Sequence, residues 1–175
     1  PAARHHTRMY IKYEKILKQI ILDLQKFSDK DIVVKLHPGD ISHNHMIKTT
    51  INELDSNIVI HHSTSIDKLI ANSELVLIIS PDGYDPSTVI LESIIMEKPI
   101  INLVLDGKFY DFSYEKNNAV ISITENENFT EILTKIFTNS EFKNKIRSNG
   151  KKFLNDYLNN HGIASESLAA QLVKL

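Results

Sequence analysis

The chain has 175 residues, of which 42% are hydrophobic and 24% charged, and its net charge is −2. This length suits one domain with a buried core, and the weak net charge excludes a global basic field for nucleic acid or an anionic membrane. The absence of cysteine excludes disulfides, thiolate zinc sites and cysteine nucleophiles. No apolar run approaches the ~20 residues of a membrane span, so we expect a cytoplasmic protein for which a peripheral membrane contact stays open.

The first residues, PAARHHTRM, lack an initiator methionine and lead into a helical pattern. We therefore expect a fragment, a processed chain or a tagged form. Residues 1–9 are interpreted as disordered or tag-derived, and residues 10–175 as a single domain.

From Tyr13 to Phe27, apolar residues recur at helical spacing, with lysines and acidic residues between them. Short apolar runs and helical patterns then alternate along the chain. The predicted elements are a strand over 32–36, a helix over 45–54, a strand over 57–61, a helix over 65–71, a strand over 75–79, a helix over 88–97, a strand over 99–105 and a strand over 119–123. Residues 128–175 read as helical, with breaks predicted near Asn149-Gly150 and His161-Gly162.

The predicted strands are continuous apolar runs rather than alternating ones. Such strands are buried on both faces, as in a parallel sheet covered by helices. The sequence therefore predicts an α/β fold, a doubly wound, Rossmann-like parallel sheet with a helical C-terminal tail.

Two polar stretches follow predicted strands, at the edge of the sheet where ligands bind in such folds. KLHPGD, residues 35–40, follows the first strand and brings His37, which can donate to a phosphate. PSTVILESIIMEKPII, residues 86–101, opens a helix whose unpaired N–H groups, with the hydroxyls of Ser87 and Thr88, can hold phosphate. Glu92 lies one turn beyond Thr88 on the same face, where it can accept hydrogen bonds from ribose hydroxyls.

These residues also have purely structural interpretations, as a helix cap, a solvated glutamate and a His-Pro turn. The histidine pairs at 5–6, 43/45 and 61–62 lack the spacing and acidic neighbours of zinc sites, so we expect no metal. Asp82 and Asp85 fit loop capping better than cation binding. The glycine-rich dinucleotide and P-loop fingerprints are missing, and we expect no cofactor.

Taken in order and spacing, the motifs resemble the C-terminal, nucleotide-sugar-binding half of GT-B glycosyltransferases. They are K-x-H-P after a strand, then S-T-x-x-x-E-[AS], then K-P-[IV]-I. In this sequence the matching residues are Lys35, His37, Pro38, Ser87, Thr88, Glu92, Ser93, Lys98, Pro99, Ile100 and Ile101. The resemblance covers residues 10–175. It is strongest to enzymes of surface and capsular polysaccharide synthesis and to CDP-glycerol glycerophosphotransferases, and non-hydrolysing UDP-N-acetylglucosamine 2-epimerases share the fold.

The resemblance implies a role for each matched residue in binding the donor. These roles are His37, Pro38, Ser87 and Thr88 for the phosphates, Glu92 for the ribose hydroxyls, and Lys35, Asp82 and Gly83 as further candidates. The loop SPDGYDP is longer than the family's usual turn, and its aspartates oppose an incoming diphosphate. The family's first strand, before its first helix, is missing from this sequence. So is the N-terminal domain that carries the acceptor site and much of the catalysis.

We therefore expect the donor-binding domain of a GT-B-type glycosyltransferase for surface polysaccharide. Its partners would be a UDP-, CMP- or CDP-linked sugar and an acceptor-binding domain or partner chain, with no nucleic acid. No catalytic base is evident, so we do not expect the isolated chain to be active. The alternatives are a UDP-N-acetylglucosamine 2-epimerase-like domain, a non-catalytic donor-binding or docking subunit, and a domain that has lost its ligand.

Overall fold

The structure of the chain, a computed structural model, describes residues 2–39, 41–80, 88–105 and 113–158, together with residues 163, 165, 166, 169, 170 and 173. The side chains of residues 2–9, 41 and 42 are outside this description. Helices and strands alternate. The elements are α1 (Ala2–Leu24), β1 (Val33–Lys35), α2 (Ile41–Leu54), β2 (Val59–His61), α3 (Ile66–Asn72), β3 (Val76–Ser80), α4 (Thr88–Ile95), β4 (Ile100–Val104), α5 (Ser113–Lys116), β5 (Ile121–Thr124), α6 (Phe129–Thr138) and α7 (Ser140–Tyr157).

Every strand that the apolar runs predict is present, which confirms those predictions at the level of elements. The helix α1 begins at Ala2, so it includes most of the segment 1–9 that the sequence suggests lies outside the domain. The physical reason is that no proline or glycine interrupts the chain between Ala2 and Leu24. The short helix α5 is not predicted, because four residues are too few to show a helical period.

The strands are parallel but form two hydrogen-bonded groups rather than one sheet. β1 pairs with β2, with Val33 opposite Val59. In the other group β4 lies between β3 and β5, with Val76 opposite Ile100 and Ile101 opposite Ile121. The structure thus confirms an α/β fold with parallel strands, and among the described residues no ladder joins the two groups.

Helices cover both faces of the three-stranded group. Alternate strand residues such as Ile101 and Ile123 pack on one face in a cluster with Ile20 of α1 and Leu133 of α6. The residues between them pack on the other face, where Ile100 meets side chains of α4, α5 and α7. The continuous apolar character of these strands therefore reflects burial from both sides.

The two-stranded group is covered differently. A third cluster joins Leu17 and Ile21 of α1, side chains of α2, and Val34 and Ile60 of the strands. The neighbouring strand residues Val33 and Val59 are 50% and 52% exposed, so the opposite face is open. Neither α1 nor any other described helix is long and apolar enough to cross a membrane.

The helical C-terminal region breaks at a different place from the one predicted. Asn139 separates α6 from α7, and its Oδ1 accepts a hydrogen bond of 2.9 Å from the N–H of Phe142, which caps α7. The break predicted at Asn149-Gly150 is wrong, because both residues lie inside α7. A Cβ on Gly150 would lie 3.1 Å from Cγ2 of Ile94, so this glycine serves close packing of α7 on α4. The break predicted at His161-Gly162 lies outside the described residues.

Candidate functional site

The chain passes from the buried core to the surface directly after β1. Leu36 is 1% exposed, whereas His37, Pro38 and Gly39 are exposed. The buried side chain of Asn44, on α2, donates a hydrogen bond of 2.7 Å from Nδ2 to the carbonyl oxygen of His37. The predicted phosphate residue His37 is therefore held by its backbone at the carboxyl end of β1, while its ring faces solvent.

The ring of His37 has a defined tautomer when it is neutral. The N–H of Gly39 donates to Nδ1 over 3.2 Å, so Nδ1 is the acceptor and the proton is on Nε2. No other described residue forms a hydrogen bond with this ring. His37 therefore presents an Nε2–H donor at the edge where the sequence predicts an anion.

Lys35 has a structural role in the arrangement described. Its Nζ donates to the carbonyl oxygens of Leu36 and His62, at 2.7 and 3.0 Å. The bond to His62 links the carboxyl ends of β1 and β2, where Lys35 is the register partner of His61. The bonds to the two carbonyl oxygens use two of the three N–H donors of the ammonium group.

The second predicted stretch begins with α4. Thr88 is the first residue of this helix and is exposed, and the first N–H groups of a helix have no partner within the helix itself. Ser87, Asp82 and Gly83, which the sequence also assigns to the site, lie outside the described residues. Asp85 lies outside them too. The structure therefore defines where α4 begins but does not describe the loop that precedes it.

Glu92, the predicted ribose ligand, has an unusual environment. The residue is half-buried, yet its Oε2 is shielded from solvent and has no hydrogen-bond partner among the described residues. Oγ of the neighbouring Ser93, a residue that is 0% exposed, is also without such a partner. Buried polar atoms are nearly always paired in proteins, and among the described residues Oε2 of Glu125 is a second buried carboxylate oxygen without a hydrogen-bond partner.

A buried polar pair that sequence reasoning missed lies at the end of β3. Oγ of Ser80 donates to Oδ1 of Asn102 over 2.8 Å, and both residues are buried. This bond ties the last residue of β3 to the middle of β4, immediately before the chain leaves for α4. The signal in the sequence is the single asparagine inside the apolar run IINLV.

The site residues are positioned by different elements. His37 follows β1, whereas Thr88 and Glu92 belong to α4, and no hydrogen bond or ion pair between described residues joins them. Two histidines outside the site, His43 and His61, have partners of their own. The ring of His43 packs on Tyr10 and Tyr13, and Nδ1 of His61 lies 2.9 Å from Oγ1 of Thr64. Among the described residues, no group of three or more His, Asp or Glu could hold a metal ion.

A cavity of about 330 Å³ lies elsewhere, between α1, the end of β5 and the start of α6. None of the predicted site residues lines it. The carboxyl group of Asp23 lies on the wall of the cavity. Burial raises its pKa, but hydrogen bonds from Lys26, Gln19 and Thr130 together lower the pKa by more, so that it lies below its ordinary value of 3.8. This carboxylate is therefore satisfied by the protein itself, whereas Oε2 of Glu125, which also lines the cavity, has no hydrogen-bond partner among the described residues.

The candidate residues thus comprise the Nε2–H of His37 after β1, the N-terminus of α4, and the carboxylate of Glu92 on the same helix. Donors of these kinds can contact a phosphate, and a carboxylate can accept from hydroxyl groups. The motif resemblance to GT-B enzymes rests on these same positions. Comparison of the chain with protein-family models, with curated proteins and with solved structures finds no match.

Proposed function

We propose that this chain is the nucleotide-sugar-binding domain of a GT-B-type glycosyltransferase that acts in surface polysaccharide synthesis. The observation that carries the proposal is Glu92, one helical turn from the N-terminus of α4, whose Oε2 has no hydrogen-bond partner among the described residues. Motif resemblance and the parallel α/β fold add support, and the enzyme's acceptor and base are assigned to another domain or chain.

Glu92 fits a ribose better than it fits a phosphate. A carboxylate repels a phosphate, whereas it accepts two hydrogen bonds from a pair of vicinal hydroxyls. Thr88 and Glu92 are four residues apart and so lie on one face of α4, about 6 Å apart along the axis. A phosphate at the first turn and a ribose at the second match this spacing.

His37 and the start of α4 fit the phosphates of the donor. During glycosyl transfer the bond between the sugar and the diphosphate breaks, and negative charge develops on the departing oxygen. An Nε2–H donor and helical N–H groups stabilise that charge more than they stabilise the bound donor. The acceptor hydroxyl also needs a base, and the proposal assigns none to this chain.

The test is calorimetric titration of the chain with UDP, CDP, CMP and GDP, repeated on Glu92→Gln. Glu92→Gln keeps the shape of the side chain but removes its charge and one acceptor. We expect one nucleotide to bind and the substitution to weaken it by about 1–3 kcal/mol, because hydrogen bonds to charged groups have this magnitude. Glu53→Gln is the matched control, since Glu53 is an exposed helical glutamate with the same chemistry.

Binding that is equally strong in wild type and Glu92→Gln would remove Glu92 from the site. A chain that binds none of the four nucleotides at millimolar concentration would contradict the proposed function. The 2′-deoxy form of the preferred nucleotide locates the contact. If removing the 2′-hydroxyl weakens binding to the wild type but does not weaken binding to Glu92→Gln any further, Glu92 contacts the ribose.

A further inference from the structure

The cavity between α1, the end of β5 and the start of α6 has the size of a small-molecule site. Its volume of about 330 Å³ falls at the lower end of the range of roughly 300–1,000 Å³ that is typical of ligand pockets. Ile20 of α1, Leu103 of β4 and Phe129 of α6 line it, and each is buried in the same apolar cluster. A ligand in this cavity would therefore contact apolar side chains as well as polar groups.

Carboxylates outnumber ammonium groups on the wall of the cavity. Asp23, Glu125 and Glu127 line it, and Lys26 is the one ammonium group among the described lining residues. Nζ of Lys26 lies 2.6 Å from Oδ1 of Asp23 and donates over 3.3 Å to Oγ1 of Thr130, so this cation is already bound to acceptors of the protein. The lining residues therefore carry an excess of negative charge, which favours a cationic ligand.

The carboxylate of Glu125 is only partly used by the protein. Its Oε1 forms an ion pair of 2.5 Å with Nζ of Lys12, and its side chain is 16% exposed. Its Oε2 has no hydrogen-bond partner among the described residues. A buried acceptor without a partner costs free energy, and an N–H donor on a ligand would remove that cost. Asp23 differs in this respect, because it already accepts from Lys26 and Gln19.

Other classes of ligand fit this wall less well. An anion would meet the carboxylates, and the N-terminus of α6 is already capped, since Oδ1 of Asn128 accepts from the N–H of Glu131 over 3.2 Å. A metal ion needs several ligands at once, and among the described residues no group of three or more histidine, aspartate or glutamate side chains could hold one. An organic cation needs one carboxylate partner and an apolar contact for its body.

We propose that this cavity binds a primary alkylammonium group, the chemistry shared by short aliphatic amines and lysine side chains. The ammonium would donate to the carboxylate of Glu125, and the alkyl chain would lie against Ile20, Leu103 and Phe129. The terminal torsion of a glutamate is broad, so a small rotation suffices to turn Oε2 towards the ligand. The cavity lies on the face of the three-stranded group that α1 and α6 cover, whereas α4 packs on the other face. The site is therefore separate from the proposed nucleotide site.

The first test uses the unmodified chain and three ligands of the same chain length, butylammonium, butanol and butyrate. Each is titrated at constant ionic strength and followed by backbone amide shifts in heteronuclear NMR spectra. We expect butylammonium to cause saturable shifts at residues 124–130. Butanol should bind more weakly by about tenfold or more, because a charge-assisted hydrogen bond is stronger than a neutral one, and butyrate should not bind. Butyrate that binds as tightly as butylammonium would overturn the proposal, and so would shifts that do not saturate and are spread over exposed acidic residues.

The second test removes the partner of the ammonium. Glu125→Gln keeps the shape of the side chain and removes its charge, so it should weaken butylammonium binding by about tenfold or more. Lys12→Gln breaks the same ion pair but keeps the carboxylate, so this variant should bind butylammonium at least as tightly as wild type. Glu141→Gln, at an exposed glutamate of α7 that does not line the cavity, should change nothing. Equal binding to wild type and Glu125→Gln, or a loss as large in Lys12→Gln, would contradict the assignment.

A last comparison identifies the source of the alkylammonium group. The chain is titrated with putrescine, a free diamine, and with Nα-acetyl-lysine N-methylamide, which presents a lysine side chain as a polypeptide does. Tighter binding of putrescine would support a small amine as the ligand, and tighter binding of the blocked lysine would support the side chain of a partner protein. None of these measurements involves a nucleotide, so failure of this proposal and failure of the proposed function are distinguishable.

Discussion

The two groups of strands are built from equally apolar sequences but are buried to different extents. In the three-stranded group, β4 is completely buried between two strands and two layers of helices. In the two-stranded group, the described helices pack on one face of β1 and β2, and Val33 and Val59 are half exposed on the other. An apolar run of sequence thus indicates a strand in both groups, while neighbours on each side decide how much stability that strand contributes.

The largest expected effect is in the centre of the three-stranded group. Ile101→Ala should lower the free energy of unfolding by about 2–5 kcal/mol, because Ile101 is 0% exposed and its removal leaves a cavity in a covered cluster. Val33→Ala in the two-stranded group should change it by about 0.5 kcal/mol or less. Urea denaturation of both variants measures the contrast. Equal losses would show that the two groups are stabilised alike.

A smaller effect is expected where α7 packs on α4, behind the three-stranded group. Gly150→Leu should lower the free energy of unfolding by about 1–3 kcal/mol, because even a Cβ at this position would lie 3.1 Å from Cγ2 of Ile94. The double variant Gly150→Leu/Ile94→Ala should recover part of the loss. If Gly150→Leu is neutral, the helices can move apart and the close approach does not matter.

The smallest expected effect concerns the attachment of α1 to the three-stranded group. The pKa of Asp23 lies below its ordinary value of 3.8, since hydrogen bonds from Lys26, Gln19 and Thr130 outweigh the effect of burial. A carboxyl whose pKa is lower in the folded than in the unfolded state stabilises the fold above the unfolded value. That stabilisation is lost as the pH falls through the folded-state pKa.

Asp23→Asn should therefore destabilise the chain by about 1 kcal/mol at pH 7 and by progressively less as the pH falls below 3.8. Thermal unfolding from pH 7 to pH 2 measures this difference. The control is Asp29→Asn, because Asp29 has a side chain that is 74% exposed and pairs only with Lys30 in the described contacts. A pH-independent loss in Asp23→Asn would mean that its hydrogen bonds do not depend on charge.

Sequence patterns predicted the elements well because burial on both faces leaves a clear trace, a continuous apolar run such as that of β4. They failed at Gly150, where glycine was interpreted as a helix break although it permits contact with Ile94. Only the packing of α7 on α4 distinguishes these two uses of glycine. The division of the strands into two groups was equally hidden, because pairing depends on which strands become neighbours.

The candidate site was predictable where its signal was local. The spacing of Thr88 and Glu92 follows from helical geometry, and the structure places both on α4 as expected. The hydrogen bond of Lys35 to the carbonyl oxygen of His62 and the pair formed by Ser80 and Asn102 could not be predicted, because each joins segments that are distant in sequence. Long-range contacts of this kind have no periodic signal in the sequence.

Oε2 of Glu92, which has no partner among the described residues, also has a practical consequence. A ligand that binds only the folded state raises the free energy of unfolding by RT ln(1 + [L]/Kd), which is about 2.7 kcal/mol at a hundredfold excess over Kd. A ligand that pairs Oε2 would therefore be visible as a concentration-dependent rise in Tm, without an acceptor or an activity assay. Thermal melting of the chain against a panel of nucleotide sugars could thus identify the base and the sugar before any reaction is known.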